Sequence, residues 1–231
     1  MINLFIGYDA RESVVFHTCV NSIIRRSTTP ISVTPLALNN LDIYNEHHSD
    51  GSNHFIYSRF LVPFLQNYSG WAIYIDGDML LRDDISKLWD LKESKKALLV
   101  VKHKYKTKSK IKYMGSKNED YPRKNWSSVV MWNCSHPSNK ILTPQYVEQS
   151  SGSFLHRFSW LPDDLIGDLP IEWNWLPDEF GYNENAKLNH FTIGAPCFHE
   201  YATVSMGDEW HRERMLMNYC IQRTNIHNES T

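Results

Sequence analysis

The stretch from residue 2 to residue 38 limits the fold most, because it alternates between strand and helix patterns. Residues 2–8 and 31–38 are apolar runs of the kind that form buried strands. Between them, residues 11–26 place apolar side chains at helical spacing and end in two arginines, which the last turn of a helix favours. This order predicts a βαβ unit, and therefore an α/β fold with a parallel sheet and a right-handed crossover.

The rest of the chain continues this pattern without a linker, an internal repeat or a low-complexity tract. Further strands are predicted at residues 71–75, 97–101 and 126–132, and further helices at residues 57–67, 86–91 and 208–221. We therefore expect one domain, in which a nucleotide-binding α/β half is followed by a more irregular half.

Composition narrows the class of protein. The 231 residues carry a formal net charge of −2, which disfavours a protein that coats nucleic acid or an acidic membrane. No run reaches the roughly 18 apolar residues of a membrane span, and the N-terminus lacks the features of a signal peptide. The cysteines form no CxxC pair, so reduced thiols are expected; they are Cys19, Cys134, Cys197 and Cys220. These features predict a cytoplasmic protein without a transmembrane segment or a nucleic-acid partner.

Residues 102–125 form a basic segment that is rich in lysine. The lysines are Lys102, Lys104, Lys106, Lys108, Lys110, Lys112, Lys117 and Lys124. The segment is predicted to be exposed, either as a solvated surface hairpin or as a lid that meets phosphate or an acidic acceptor.

The strongest single motif is Asp76-Gly77-Asp78, which directly follows the predicted strand at residues 71–75. Ligands of open parallel sheets bind at the carboxyl ends of the strands, where this motif lies. With one residue between them, Asp76 and Asp78 point to the same side of the strand, and Gly77 allows a close turn. Two adjacent carboxylates repel each other, so the motif predicts a site for Mn²⁺ or Mg²⁺. The alternative is an Asp-Gly turn whose acids are only solvated.

Four blocks, in the same order along residues 3–200, resemble the nucleotide-diphospho-sugar glycosyltransferases of the GT-A fold, most closely family 8 and its phage and bacterial relatives. The blocks are FIGYDARES; YSRFLVPFL with WAIYIDGDMLLRDDISKLWDL; NWSSVVMWN; and LPIEWNWLP with LNHFTIGAP. The resemblance implies a single Rossmann-like GT-A domain over residues 1–231, with a mostly parallel central sheet and flanking helices. Residues 1–101 would form the nucleotide-binding half, and residues 126–231 would complete the metal site and bind the acceptor.

The resemblance also implies roles for individual residues. The metal ligands would be Asp76, Asp78 and His190, with Mn²⁺ favoured because imidazole suits it. The positions implied to bind the donor nucleotide, its diphosphate or its sugar are Gly7, Tyr8, Asp9, Arg11, Asp76, Gly77, Asp78, Asn125, Ser127, Ser128 and Gly194. For Asp9 the alternative is a helix cap, which is compatible with nucleotide binding. Ser128 is followed by valine where the family usually has glycine, which leaves the identity of the sugar open.

Catalytic roles are implied for Arg59, Asp163 and Asp164. Arg59 would face the donor sugar or the metal-binding acids, and its planar group with several donors suits a cluster of acids and phosphate. Its alternative is an ordinary surface ion pair. Asp163 and Asp164 resemble the acidic segment that touches the donor sugar, with Asp164 favoured, but two acids after a proline are also typical of a helix N-terminus.

The last block departs from the family pattern. The family usually has Lys-Pro-Trp there, and its lysine binds the diphosphate, whereas this chain has Ala195-Pro196-Cys197. The backbone N–H of Gly194 could still reach phosphate. The replacement for the lysine charge stays open between Lys187, His199 and the basic segment.

The expected function is metal-dependent transfer of a hexose from a nucleoside-diphosphate sugar, with UDP favoured, to a hydroxyl acceptor such as a glycan; the resemblance implies retention of configuration. A haloacid-dehalogenase-type phosphatase is the first alternative, although Leu80 stands where its motif needs threonine or valine. A catalytically silent sugar-binding protein is the second. The oligomeric state stays open.

Overall fold

A six-stranded mixed sheet forms the centre of the computed structural model, which describes residues 1–48, 53–112 and 115–218. Its strands are β1 (Ile2–Gly7), β2 (Ile31–Leu36), β3 (Trp71–Ile75), β5 (Leu98–Val100), β6 (Val129–Asn133) and β7 (Ile166–Asp168). Their order in the sheet is β2-β1-β3-β6-β5-β7. Among the described strands of this sheet, β6 alone runs antiparallel to its neighbours, so the predicted mostly parallel α/β sheet is confirmed.

The N-terminal βαβ unit forms as its sequence pattern predicts. β1 and β2 pair in parallel from Ile2 opposite Ile31 to Gly7 opposite Leu36. The crossover helix α1 (Ser13–Arg26) begins two residues later than expected, because residues 10–12 form a 3₁₀ turn that Asp9 caps. Because the next strand, β3, also pairs in parallel with β1, the carboxyl ends of β1, β2 and β3 meet at one edge of the sheet.

The remaining helices are short. They are α2 (Val62–Leu65), α3 (Ile85–Trp89), α4 (Pro144–Gln149), α5 (Gly152–His156), α6 (Pro177–Phe180) and α7 (Gly207–Leu216). The helix expected at residues 57–67 is divided into a 3₁₀ turn (Ser58–Leu61) and α2, because Pro63 suits only the first turn of an α-helix. Asn67, which has a positive φ, follows the end of α2. The end of the helix predicted for residues 208–221 and Cys220 lie outside the described residues.

A second, two-stranded sheet was not predicted. β4 (Met79–Leu81) follows the Asp76-Gly77-Asp78 link directly and pairs antiparallel with β8 (Leu188–His190). In this pairing Met79 lies opposite His190. This ribbon therefore joins the end of β3 to the last of the four sequence blocks.

Buried side chains pack on both faces of the central sheet. Successive residues of β3 alternate, so that Ile73 packs with α1 residues such as Phe16, while Tyr74 packs with Phe60 and Trp132 on the other face. Both faces are thus covered, as the prediction of flanking helices requires. No helix of the described residues is long and apolar enough to cross a membrane.

The last described helix is held to α1 by one buried carboxylate. Glu213 accepts a hydrogen bond from Asn21 Nδ2 at 2.6 Å and ion pairs from Arg25 and Arg26 at 3.0 Å and 2.9 Å. The glutamate side chain is 2% exposed, whereas the two arginine side chains are 43% and 31% exposed. The contact therefore depends on a buried anion with partly solvated cations.

We expect Glu213→Ala to lower the free energy of unfolding by about 1–3 kcal/mol, because three donors lose their acceptor while the arginines can return to water. Urea denaturation measures the change. Arg212→Ala, an exposed position on the same helix, is the control and should change stability by less than about 0.5 kcal/mol. Equal effects of the two substitutions would contradict this account of α7.

Candidate active site

The link between β3 and β4 carries the two acids. Asp76 follows the last residue of β3, and its backbone N–H donates to the carbonyl of Ser128 at 3.0 Å, which continues the pairing with β6. A side chain at Gly77 would overlap the carbonyl oxygen of Gly7, so the end of β1 passes directly beside the link. Only glycine allows this approach, and both acids are held at the carboxyl edge of the sheet.

The β4–β8 pairing brings His190 to the acids. The N–H of Phe191 donates to the carbonyl of Asp78 at 3.1 Å, one residue beyond the ribbon. The Nε2 atom of His190 lies 3.4 Å from Asp78 Oδ1 and 3.9 Å from Asp76 Oδ2. One ligand atom from each of the three residues lies within 4.8 Å of the others. The three expected metal ligands thus converge, although they come from segments more than 100 residues apart in sequence.

Asn174 sets the orientation of the histidine ring. Its Nδ2 donates to the carbonyl of Asn125 at 3.1 Å and to Ser128 Oγ at 2.9 Å, so its Oδ1 is the atom that faces His190. That oxygen lies 3.0 Å from His190 Nδ1, which must therefore be the protonated nitrogen. The lone pair of Nε2 then points toward the acids, as a metal-binding histidine needs.

A buried arginine balances one of the acids. Arg59 is 4% exposed, and its guanidinium lies 2.9 Å from Asp76 Oδ1, the atom that also accepts from the hydroxyl of Tyr74 at 2.6 Å. Burial raises the pKa of Asp76; Arg59 opposes this change, Asp78 adds to it, and His190 opposes it. The carboxylate pair is therefore only partly neutralised by the protein itself.

The donor set fits a divalent metal ion. Asp78 Oδ1 is buried and has no hydrogen-bond partner among the described residues, although it lies beside His190 Nε2. An unpartnered buried carboxylate oxygen is costly unless a cation meets it. Two carboxylates and one imidazole are ligands that Mn²⁺ accepts readily, and Mg²⁺ accepts the carboxylates. Asp76, Asp78 and His190 are the residues that could hold the ion.

A cleft of about 60 Å³ opens beside these three side chains. The predicted site residues in its wall are Arg59, Asp76, Asp78, Asn125, Ser127, Ser128 and His190. Lys112 of the basic segment also lines it, together with residues that sequence patterns did not single out, namely Asn53, Ile56, Tyr121, His156 and Thr192. Asn174, which orients the histidine, was also missed, although it lies within the Trp-Asn-Trp part of the fourth block.

His156 lies behind one of the cleft serines. Its Nδ1 is 2.7 Å from Ser127 Oγ, and its Nε2 is buried without a hydrogen-bond partner among the described residues. Burial lowers the pKa of His156 well below its usual value, and the nearby Arg59 adds to this effect. Burial therefore favours the neutral form of the ring, and one hydrogen bond joins the ring to the serine hydroxyl.

Other predicted positions do not line the cleft. Asp163 and Asp164 are exposed on a short 3₁₀ turn, and Asp163 pairs with Arg123 at 2.5 Å. A carboxylate that is 83% exposed and paired away from the acids has no contact with the site in this structure. The catalytic roles of both residues stay predictions, and their placement gives them no support.

The end of β1 is occupied by local contacts. Asp9 accepts from the backbone N–H of Arg11 at 3.0 Å, from its guanidinium, and from the backbone N–H of His54 at 3.2 Å, so the capping alternative is realised. Tyr8 is half-buried, with its ring edge-on to Phe16. Nucleotide binding by these residues stays a prediction.

Two predicted glycines fit against aromatic rings. A side chain at Gly7 would overlap the ring of Phe55, and one at Gly194 would overlap the ring of Tyr201. The absence of a side chain at both positions thus serves packing, and a role in ligand binding is untested.

Comparison with known proteins identifies the family. The family model described as "Glycosyl transferase family 8" matches residues 12–140, which is more than half of the chain. The chain belongs to glycosyltransferase family 8. It is 40% identical over 222 residues to Protein CDI from Arabidopsis thaliana, an alignment that covers 91% of this chain and 85% of that protein.

Solved glycosyltransferase structures share the fold. The chain superposes with a TM-score of 0.65 and 14% identity on the bifunctional glycosyltransferase WbbM, covering 92% of this chain but only 49% of that one, about half its length. The galactosyltransferase LgtC, solved with donor and acceptor sugar analogs, gives a TM-score of 0.62 and 14% identity over 95% of this chain and 97% of that one. The GT-A fold that the family resemblance implied is confirmed. Membership of family 8 supports a glycosyltransferase and argues against the phosphatase of the first alternative.

We expect Asn174→Ala to weaken Mn²⁺ binding by about 10- to 100-fold, because His190 loses the acceptor that fixes its protonated nitrogen. Calorimetric titration with Mn²⁺ measures the change. Asn174→Asp, which keeps an acceptor for Nδ1, should lose less, and Asn185→Ala, at an exposed position before β8, should lose none. Wild-type affinity in Asn174→Ala would show that Asn174 does not orient the ligand.

Proposed function

We propose that this chain transfers a hexose from a nucleoside-diphosphate sugar to a hydroxyl group of an acceptor, in a reaction that needs a divalent metal ion. The observation that carries the proposal is the convergence of Asp76, Asp78 and His190, with ligand atoms within 4.8 Å of one another and the tautomer of the histidine set by Asn174. We further propose Mn²⁺, or Mg²⁺, as the ion, a UDP-sugar as the donor and a glycan as the acceptor.

The acids, the histidine and Arg59 have separate parts in this proposal. Bound between the two carboxylates and the imidazole, the metal ion would act as a Lewis acid on the donor diphosphate, whose charge rises as the sugar leaves. Arg59 opposes the effect of burial on the pKa of Asp76 and holds the carboxylate in position, through contacts to the carboxylate at 2.9 Å and to the carbonyl of Ser127 at 2.9 Å. These contacts prepare the acids before the donor binds, so that little reorganisation is needed during the reaction.

The polar residues at the start of β6 are proposed to bind the donor sugar. Ser127 lines the cleft with its hydroxyl hydrogen-bonded to His156 Nδ1 at 2.7 Å, and Asn125 donates from Nδ2 to the hydroxyl of Tyr105 at 2.8 Å. Ser128 Oγ already donates to the carbonyl of Asn125 at 2.7 Å and accepts from Asn174, so we assign it to the support of the site. Ser127 is therefore the residue that we expect to meet a sugar hydroxyl.

The nucleotide and the stereochemistry are further parts of the proposal. Tyr8 and Arg11 flank the carboxyl end of β1, beside the acid link, and the Arg11 side chain is 40% exposed and within reach of a ligand. We propose that the base and ribose lie there, and that transfer retains the configuration, with the departing phosphate taking the proton of the acceptor hydroxyl. A cytoplasmic location also remains part of the proposal.

The decisive experiment measures nucleotide release from a panel of UDP- and GDP-sugars, with and without Mn²⁺, and with EDTA. We expect release from at least one sugar nucleotide only when metal is present. Asp78→Asn keeps the shape of the side chain but removes its charge, and it should lower the rate by at least about 100-fold.

Asp90→Asn is the matched control, because Asp90 is exposed at the end of α3 and does not line the cleft. It should leave the rate unchanged. Release that persists in EDTA, or equal rates for the two asparagine variants, would contradict the metal-dependent mechanism.

A further inference from the structure

The last block lacks the lysine that binds the diphosphate in the family pattern, so the matching positive charge would have to come from another residue. Two of the candidate replacements lie elsewhere in the structure. Lys187 places its Nζ 5.3 Å from the ring of Trp173 and lines a separate cleft beside Arg82. His199 is exposed on a short 3₁₀ turn and does not line the cleft of the acids. The basic segment is the remaining source.

Lysine occupies every second position of this segment from residue 102 to residue 112. Four of these side chains point to solvent, namely Lys104, Lys106, Lys108 and Lys110. Lys112 differs from them, because it is half-buried and lines the cleft together with Asp78 and Arg59. One member of an otherwise solvated series thus enters the candidate active site.

Backbone contacts hold Lys112 in place. Its N–H donates to the carbonyl of Ser116 at 2.7 Å, and the N–H of Asn118 donates to the carbonyl of Lys110 at 2.9 Å. Lys124, which is buried, donates from Nζ to Asn118 Oδ1 at 2.7 Å and so joins this part of the segment to the residues that precede β6. The backbone at Lys112 is therefore held by hydrogen bonds made at residues 110 and 112.

Charge balance distinguishes the two cations of the cleft. Arg59 is already committed to Asp76 and to the carbonyls of Ile56 and Ser127. No described residue accepts a hydrogen bond from the ammonium group of Lys112. Once a divalent ion compensates Asp76 and Asp78, the ammonium group is left to face the anionic part of a ligand.

We infer that Lys112 binds the diphosphate of the donor and supplies the charge that the last sequence block lacks. This inference rests on the proposed function. Lysine is suited to the task, because it meets phosphate as a flexible point charge and does not require a fixed planar geometry.

The test compares the binding of UDP and GDP with that of uridine and guanosine, by calorimetry in the presence of Mn²⁺ on the full chain. Lys112→Ala should weaken binding of the diphosphate that the wild type binds by about tenfold or more, and should leave binding of its nucleoside unchanged. The affinity of Lys112→Ala for the diphosphate should also depend less on salt, because one charge contact is gone. Lys112→Arg should keep most of the affinity.

Lys110→Ala is the matched control, since it removes the same charge from the exposed side of the same segment. It should bind the diphosphate within about twofold of the wild type. If Lys112→Ala binds the diphosphate as tightly as Lys110→Ala and the wild type do, the inference is wrong and the proposed function stands. If the wild type binds neither diphosphate in the presence of Mn²⁺, the proposed function fails and the inference fails with it.

Discussion

Repulsion between two neighbouring carboxylates is the constraint on which the site depends. Asp76 and Asp78 cannot move apart, because the residue between them packs against the backbone of Gly7 and both flanking strands are paired. Arg59 compensates only one of the two charges. The acid cluster at the edge of the sheet is thus only partly neutralised by the protein, and Asp76, Asp78 and His190 could hold a divalent ion that completes it.

One network of hydrogen bonds joins the two sheets behind this cluster. The carbonyl of Asn125 and the hydroxyl of Ser128 orient Asn174, and Asn174 orients His190. Asn125 itself adopts φ of 60°, a left-handed conformation that asparagine tolerates better than most residues. The residues at the start of β6 therefore support His190 as well as the cleft wall. A substitution there would change both the orientation of His190 and the shape of the cleft wall.

Local sequence patterns predict the central sheet well, because β1, β3 and the helix between β1 and β2 have the periodicity of buried elements. They do not predict the β4–β8 ribbon, whose strands of three residues are too short to show a period and pair across more than 100 positions. His190 was therefore recognised only through family resemblance. Local patterns also do not show which acidic residues are buried. Asp163 and Asp78 both occur in short acidic motifs, but only Asp78 lines the cleft, where the pairing of the adjacent strand β4 places it.

The packing of the last block explains why its phosphate-binding lysine could be replaced from elsewhere. Ala195 is buried against Trp210 of α7, and Gly194 lies under the ring of Tyr201, so a long charged side chain in this stretch would meet apolar neighbours. Burial of an unpaired ammonium group there would be costly. Lys112 avoids this cost, because its backbone lies in an exposed segment and only its side chain enters the cleft, where carboxylates already attract it. Because aromatic side chains fill the space around the last block, electrostatics favours a cation that comes from the basic segment.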